Sequence, residues 1–235
     1  MPAPAAVVAT VRTFFRALLT GDRELLASVS LPHPELATLT PTQPPHASVA
    51  TMLGELQRLD VRADELPGDR HLVQAGLGGM VHLLVVHESK AGPRVDLRYL
   101  IESQKPDDAR RTTARAFYRA MLLGDAPTLQ RLAFDAHGVE RLAETPPPAG
   151  ERDQLAHVAA AMGLVELSAG EAFAVPNGVQ FVGPRHAEMG IVVLSGLTPN
   201  GEIPFLLRQR DGEWKVIPFH FVQAAALART SSLAP

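Results

Sequence analysis

Apolar residues recur near the start of the chain at the 3.6-residue period of an amphipathic helix. Val7, Val11, Phe14 and Leu18 mark the stripe, and Val8, Phe15 and Leu19 widen it. Gly21 and Asp22 then break the pattern. The glycine suits the position just past a helix end, and the aspartate suits the N-cap of the next helix. The same signals return at Gly124 and Asp125, with Pro127 fitted to a first helical turn. Pro-rich loops are expected at Pro41–Pro45 and Pro146–Pro148. A third helix follows in each half, over Val49, Met52, Leu53 and Leu56 and again over residues 154–162. Beyond it the period falls to two. Val81–His87 and Gly190–Leu194 are rich in β-branched residues, as are Glu202–Arg210 and Glu213–Val222 in apolar ones, and all four are expected as strands. Ala91-Gly92, Asn177-Gly178, Asn200-Gly201 and Asp211-Gly212 are tight-turn signals, and Gly76–Gly79 lies between two strands as a further hairpin turn. Helices followed by an antiparallel meander predict an α+β fold.

The pattern occurs twice. Residues 10–22, TVRTFFRALLTGD, and 113–125, TARAFYRAMLLGD, are identical at eight of thirteen positions with an offset of 103. Leu26, Val29 and Leu39 map at the same offset onto Leu129, Leu132 and Leu142. The alignment then drifts. Val49, Met52, Leu53 and Leu56 pair with Leu155, Val158, Ala159 and Met162 at 106, and Val81, Leu83 and Val85 with Met189, Ile191 and Val193 at 108. Two copies of one domain are expected, over 1–105 and 106–235. The first has no counterpart of Glu213–Val222 and is expected to lack its last strand. That leaves an edge needing cover. The segment Glu213–Val222 is apolar on both faces, so a second sheet is expected against it, from the other copy or another chain.

Composition narrows the function. The net charge is −3, and neither half has the basic excess that a nucleic-acid backbone requires. Cysteine is absent, which excludes disulfides, thiolate zinc sites and a cysteine nucleophile. No apolar run approaches the ~20 residues of a membrane helix. The segment MPAPAAVVATVR does not read as a signal peptide, so the cytoplasm is the expected compartment. No phosphate-binding glycine motif opens a helix, and no Gly-x-Ser-x-Gly elbow is present.

The helix–Gly-Asp–helix at Phe117–Asp125, the third helix at Gln154–Met162 and the terminal hairpin Asp211-Gly-Glu-Trp-Lys-Val216 together resemble the NTF2-like superfamily, the SnoaL-like or ketosteroid-isomerase-like cone. The resemblance implies two tandem NTF2-like (cystatin-like cone) domains, each with helices wrapped by a curved antiparallel sheet. Family members commonly dimerise through that sheet, so the two copies would form an intramolecular pseudo-dimer. The family fold hosts isomerases, dehydratases, ligand binders and assembly modules. Its isomerase-type members use an Asp base and a Tyr-containing oxyanion hole. Neither maps onto this chain, whose only tyrosines are Tyr99 and Tyr118 and in whose first copy Asp96 is expected to be the only aspartate on a strand, an expectation that takes no strand to run through Asp64.

Five residues stand out as ligand contacts in the second copy: Tyr118, Glu188, Arg208, Trp214 and His220. Alternation along Glu213–Val222 sets His220 on one face with Trp214, Val216 and Pro218, where it is either a satisfied core residue or a polar anchor in an apolar pocket. His186 and Glu188 share one face of an expected strand, as an acid–base pair or a solvated strand start. Arg208 is an acidic-ligand contact or a surface ion pair. His82 and His87 point to opposite faces of one strand, so no metal site is expected. The arginine pairs Arg12/Arg16 and Arg115/Arg119 lie i, i+4 on helices and are expected to be solvated or ion-paired. The leading expectation is a non-catalytic binding or scaffold protein, without cofactor, that holds a small apolar molecule in the second copy or meets a protein partner or a second copy of itself through its sheet. The alternative is a SnoaL-like enzyme for proton transfer, isomerisation or dehydration, with His220, Glu188 and Arg208 as its polar groups.

Overall fold

A computed structural model describes residues 3–37, 46–103, 106–144 and 146–232, so the Pro-rich segment expected at Pro41–Pro45 lies outside the described residues. The fold is α+β with antiparallel sheets. The chain divides into two compact units, Met1–Gln104 with Leu197–Gly201, and Lys105–Gly196 with Glu202–Pro235.

In the first unit, α1 (Ala5–Thr20), α2 (Arg23–Val29) and α3 (His46–Glu55) precede β1 (Val61–Leu66), β2 (Arg70–Leu77), β3 (Met80–His87) and β4 (Arg94–Asp96), and α4 (Arg98–Ser103) follows. The four strands form one meander in chain order. Val7, Val11, Phe14 and Phe15 of α1 meet Val73, Ala75, Leu84 and Val86 of the sheet in one core. The complete burial of Phe14 is worth about 1.5–3 kcal/mol.

In the second unit, α5 (Ala109–Leu123), α6 (Ala126–Leu132) and α7 (Arg152–Ala161) lead into β5 (Leu164–Glu166). The hairpin β6 (Ala172–Val175) and β7 (Gly178–Phe181) and the short α8 (Pro184–Glu188) come next. Then follow β8 (Ile191–Thr198), β9 (Gly201–Arg210), β10 (Glu213–Val216) and α9 (Phe219–Ser232). The main sheet runs β10-β9-β8-β5, and β6-β7 forms a separate two-stranded sheet. One face of the main sheet packs Leu164, Leu194, Phe205 and Leu207 against Phe117, Tyr118 and Leu129 from the helices. The other face is covered by the hairpin, with Phe173 against Leu167, Val193 and Leu206.

The capping signals in the sequence work as the physics requires. Gly21 and Gly124 close their helices with φ of 68° and 71°. A Cβ on Gly124 would also lie 2.9 Å from Cβ of Pro146. The carboxylates of Asp22 and Asp125 accept from the backbone N–H groups of Leu25 and Thr128 at 2.9 and 3.1 Å. Asp125→Ala is therefore expected to cost about 1 kcal/mol in urea denaturation, and Asp125→Ser to restore most of it.

The two sheets correspond strand for strand. The pair Ala63↔Val73 of β1–β2 has its counterpart in Glu166↔Leu194 of β5–β8. The pair Val86↔Val95 of β3–β4 has its counterpart in Leu207↔Val216 of β9–β10. In both units the residue after the second helix bridges the last strand in parallel, Ser30 to Val95 and Ala133 to Val216. The shift between units is thus 103 positions at the first strand and 121 from the second strand on.

This register corrects two expectations. The first sheet does not stop one strand short, because β4 takes the place in its sheet that β10 takes in the other. What distinguishes the second unit is an insertion of 18 residues, the difference between the two shifts, spent on β6, β7 and α8. The last strand also ends at Val216, and α9 begins at Phe219. Pro218 has no N–H for a ladder and fits the threshold of a helix. Residues 213–222 are thus not one strand apolar on both faces, and they call for no second sheet.

Candidate functional site

The short ladder between β9 and β10 shapes the second unit. Pairing covers only Leu207–Arg210 of β9, so Glu202, Ile203 and Pro204 lie beyond its end. On that edge β10 does not reach Pro204, so a residue without an N–H costs no bond to it. These three residues form one wall of an open cleft of about 340 Å³. Met121 at the end of α5 forms another part, with Ala174, Val175 and Pro176 at the β6–β7 turn. Ala224, Phe221 and His220 of α9 complete it. The lining is apolar apart from Glu202 and His220. The volume suits a small organic molecule.

His220 is 9% exposed. Its ring lies edge-on to Phe173 at a centroid distance of 6.4 Å and to Phe219 at 5.6 Å. Its Nδ1 is sealed from solvent and has no hydrogen-bond partner. Burial holds its pKa below the ordinary histidine value, and the charge of His186 acts in the same direction. The imidazole is therefore neutral at neutral pH, able to donate from one nitrogen and accept at the other.

Of the five residues expected to contact a ligand, only His220 lines this cleft, and it does so from a helix. Tyr118 is 6% exposed inside the helix–sheet core, edge-on to Phe205 at 6.2 Å, where burial pushes its hydroxyl pKa up. Arg208 holds its guanidinium 5.3 Å over the ring of Phe134. Trp214 is half-buried against the helix–sheet core. Glu188 is exposed at the end of α8. His186 is helical too, its Nδ1 accepting from the N–H of Gly183, so the shared strand face expected for His186 and Glu188 does not exist. Gly183-Pro184, with proline at the first helical turn, is the signal that marks this helix. Glu202 and Met121 were not singled out by the sequence, because a strand start and a helix end carry no pattern that announces a shared wall.

In the first unit, a second cleft of about 550 Å³ is lined by Arg12, Thr13, Arg16, Leu53, Leu56 and Gln57, and none of its polar residues is buried. Arg115 on α5 is differently employed. It pairs with Asp107 at 2.7 Å and donates to the carbonyls of Ala160 and Met162 at the end of α7. Asp96, 3% exposed, is the one buried carboxylate described. Burial alone would raise its pKa. The hydrogen bonds from His87 and Arg98, with the charge of Arg98, overcome that and hold it far below the usual carboxylate range. An aspartate so held is a poor general base.

Among the described residues there is no group of three or more His, Asp or Glu placed to hold a metal ion. No described helix is long and apolar enough to cross a membrane. No family model, no curated protein and no solved structure matches the chain.

Proposed function

We propose that the chain is a non-catalytic binding protein built from two tandem NTF2-like domains, and that its second unit holds a small apolar molecule in the cleft beside α9. The observation that carries the binding role is the cleft itself, apolar in its walls, with a nine-tenths-buried histidine among them. The repeated strand register and the repeated bridge from the second helix to the last strand support the tandem reading. The SnoaL-like enzyme is the weaker reading, since Tyr118, Glu188 and Arg208 do not line the cleft with His220.

Titration with N-phenyl-1-naphthylamine, an uncharged dye that brightens in apolar surroundings, tests the proposal. Saturable brightening at one site per chain is expected. Ala224 is exposed at the mouth, so Ala224→Trp should fill the cleft without disturbing the core. Binding should weaken at least about tenfold in that variant, the equivalent of about 1.4 kcal/mol. Unchanged binding would remove the cleft as the site.

A further inference from the structure

The two ring nitrogens of His220 face different surroundings. Nδ1 is sealed without a partner, yet the ring forms part of the cleft wall. The edge offered to the cleft is therefore the one that carries Nε2. A neutral imidazole has one N–H and one bare lone pair. A buried N–H without an acceptor is among the rarest defects in folded proteins, and a buried acceptor without a donor is better tolerated. The proton therefore belongs on Nε2, where water or a ligand can meet it. That places one hydrogen-bond donor in a wall that is otherwise apolar. The one formal charge among the lining residues is the carboxylate of Glu202, which disfavours an anion.

We infer that the cleft takes an uncharged apolar molecule bearing a carbonyl oxygen, and that this oxygen accepts a hydrogen bond from the Nε2–H of His220. The inference rests on the cleft being the binding site and adds the chemical class of the ligand. Hydrocarbons lack the acceptor and would strand the donor when they displace its water. Carboxylates bring a negative charge beside Glu202. Ketones and esters satisfy the donor without either penalty.

Three probes of one shape separate these classes: 2-acetylnaphthalene, 2-ethylnaphthalene and 2-naphthoate. The ketone should bind about tenfold more tightly than the hydrocarbon, the upper range for one neutral hydrogen bond, and more tightly than the carboxylate. Long-range proton–nitrogen NMR on protein labelled at histidine reads the tautomer directly in the unmutated chain. His220 should carry its proton on Nε2, and the Nε2 resonance should move on adding the ketone. His220→Phe should erase the preference for the ketone while leaving 2-ethylnaphthalene bound. Equal binding of ketone and hydrocarbon, tightest binding of 2-naphthoate, or a proton on Nδ1 would each overturn the inference and leave the cleft as an apolar site. Failure of all three probes to bind would overturn the cleft reading and this inference with it.

Discussion

Replacing Asp96 with alanine is expected to lower the unfolding free energy at neutral pH by about 3 kcal/mol, read by urea denaturation. The side chain is 1% exposed and fully engaged. Its Oδ1 accepts from the backbone N–H and Nε of Arg98 at 3.0 and 3.1 Å. Its Oδ2 accepts from Nη2 of Arg98 at 2.7 Å and from Nε2 of His87 at 3.2 Å. An ionised carboxylate only accepts, so His87 carries a proton on that nitrogen. Deleting the carboxylate leaves a guanidinium and an imidazole half-covered without their shared partner, which is costlier than never having built the cluster. In the second unit, Ile217 takes the corresponding place, against the apolar layer of Phe173 and Val193. Asp96→Asn keeps the shape and part of the bonding, and should lose about half as much. The pH dependence has a fixed sign. The folded carboxyl titrates far below its unfolded value, so its contribution is complete above the unfolded pKa of about 4 and is lost as the pH falls toward the folded value. The gap between the natural protein and Asp96→Asn should therefore narrow between about pH 5 and pH 2. A constant gap would mean that the cluster does not favour the ionised form.

Phe173→Ala is expected to cost about 3–5 kcal/mol, the range for a fully buried phenylalanine. Phe173 is 1% exposed on β6, within the inserted segment that the first unit lacks. Its ring covers Leu167, Val193 and Leu206 on the sheet face turned away from the helices. It also supports the rings of His186 and His220 at 6.2 and 6.4 Å. A peripheral hairpin would tolerate the truncation with a loss below about 1 kcal/mol, as surface substitutions do. The large value would establish the insertion as a second core layer. Phe173→Leu should recover most of the loss, and Phe173→Ala should also weaken N-phenyl-1-naphthylamine binding by loosening His220.

The helical half of each unit was legible because its signals are specific. A glycine past the end and an aspartate at the next cap occur together only where two helices meet at a sharp corner, and Gly21-Asp22 and Gly124-Asp125 both do so. The strands were legible as strands and not as partners. Alternation has a period of two and fits any strand laid on any other, so Val81, Leu83 and Val85 matched Met189, Ile191 and Val193. The register instead pairs Val86 with Leu207 as counterparts across the units, and the insertion was absorbed as small shifts. Alternation also continued through Trp214, Val216, Pro218 and His220, although Pro218 was the sign that the ladder ends. His220 was found by its residue type on an apolar stripe. Apart from Phe221 and Ala224 on its own helix, its fellow lining residues come from α5, from β6 and the turn after it, and from β9, and no local pattern links positions so distant along the chain.

The insertion also sets the order in which the sheets can assemble. In the first unit β1 meets β2 across residues 67–69, and each later strand joins the one just made. In the second unit β5 meets β8 only after the chain closes over residues 167–190, and three residue pairs hold that contact. A longer loop must lose more freedom before its ends reward it. The two halves thus share a plan of strands but differ in contact order. A refolding chain should complete the sheet of its first half while the second still awaits the return of β8 to β5, so that the cleft is among the last features to form.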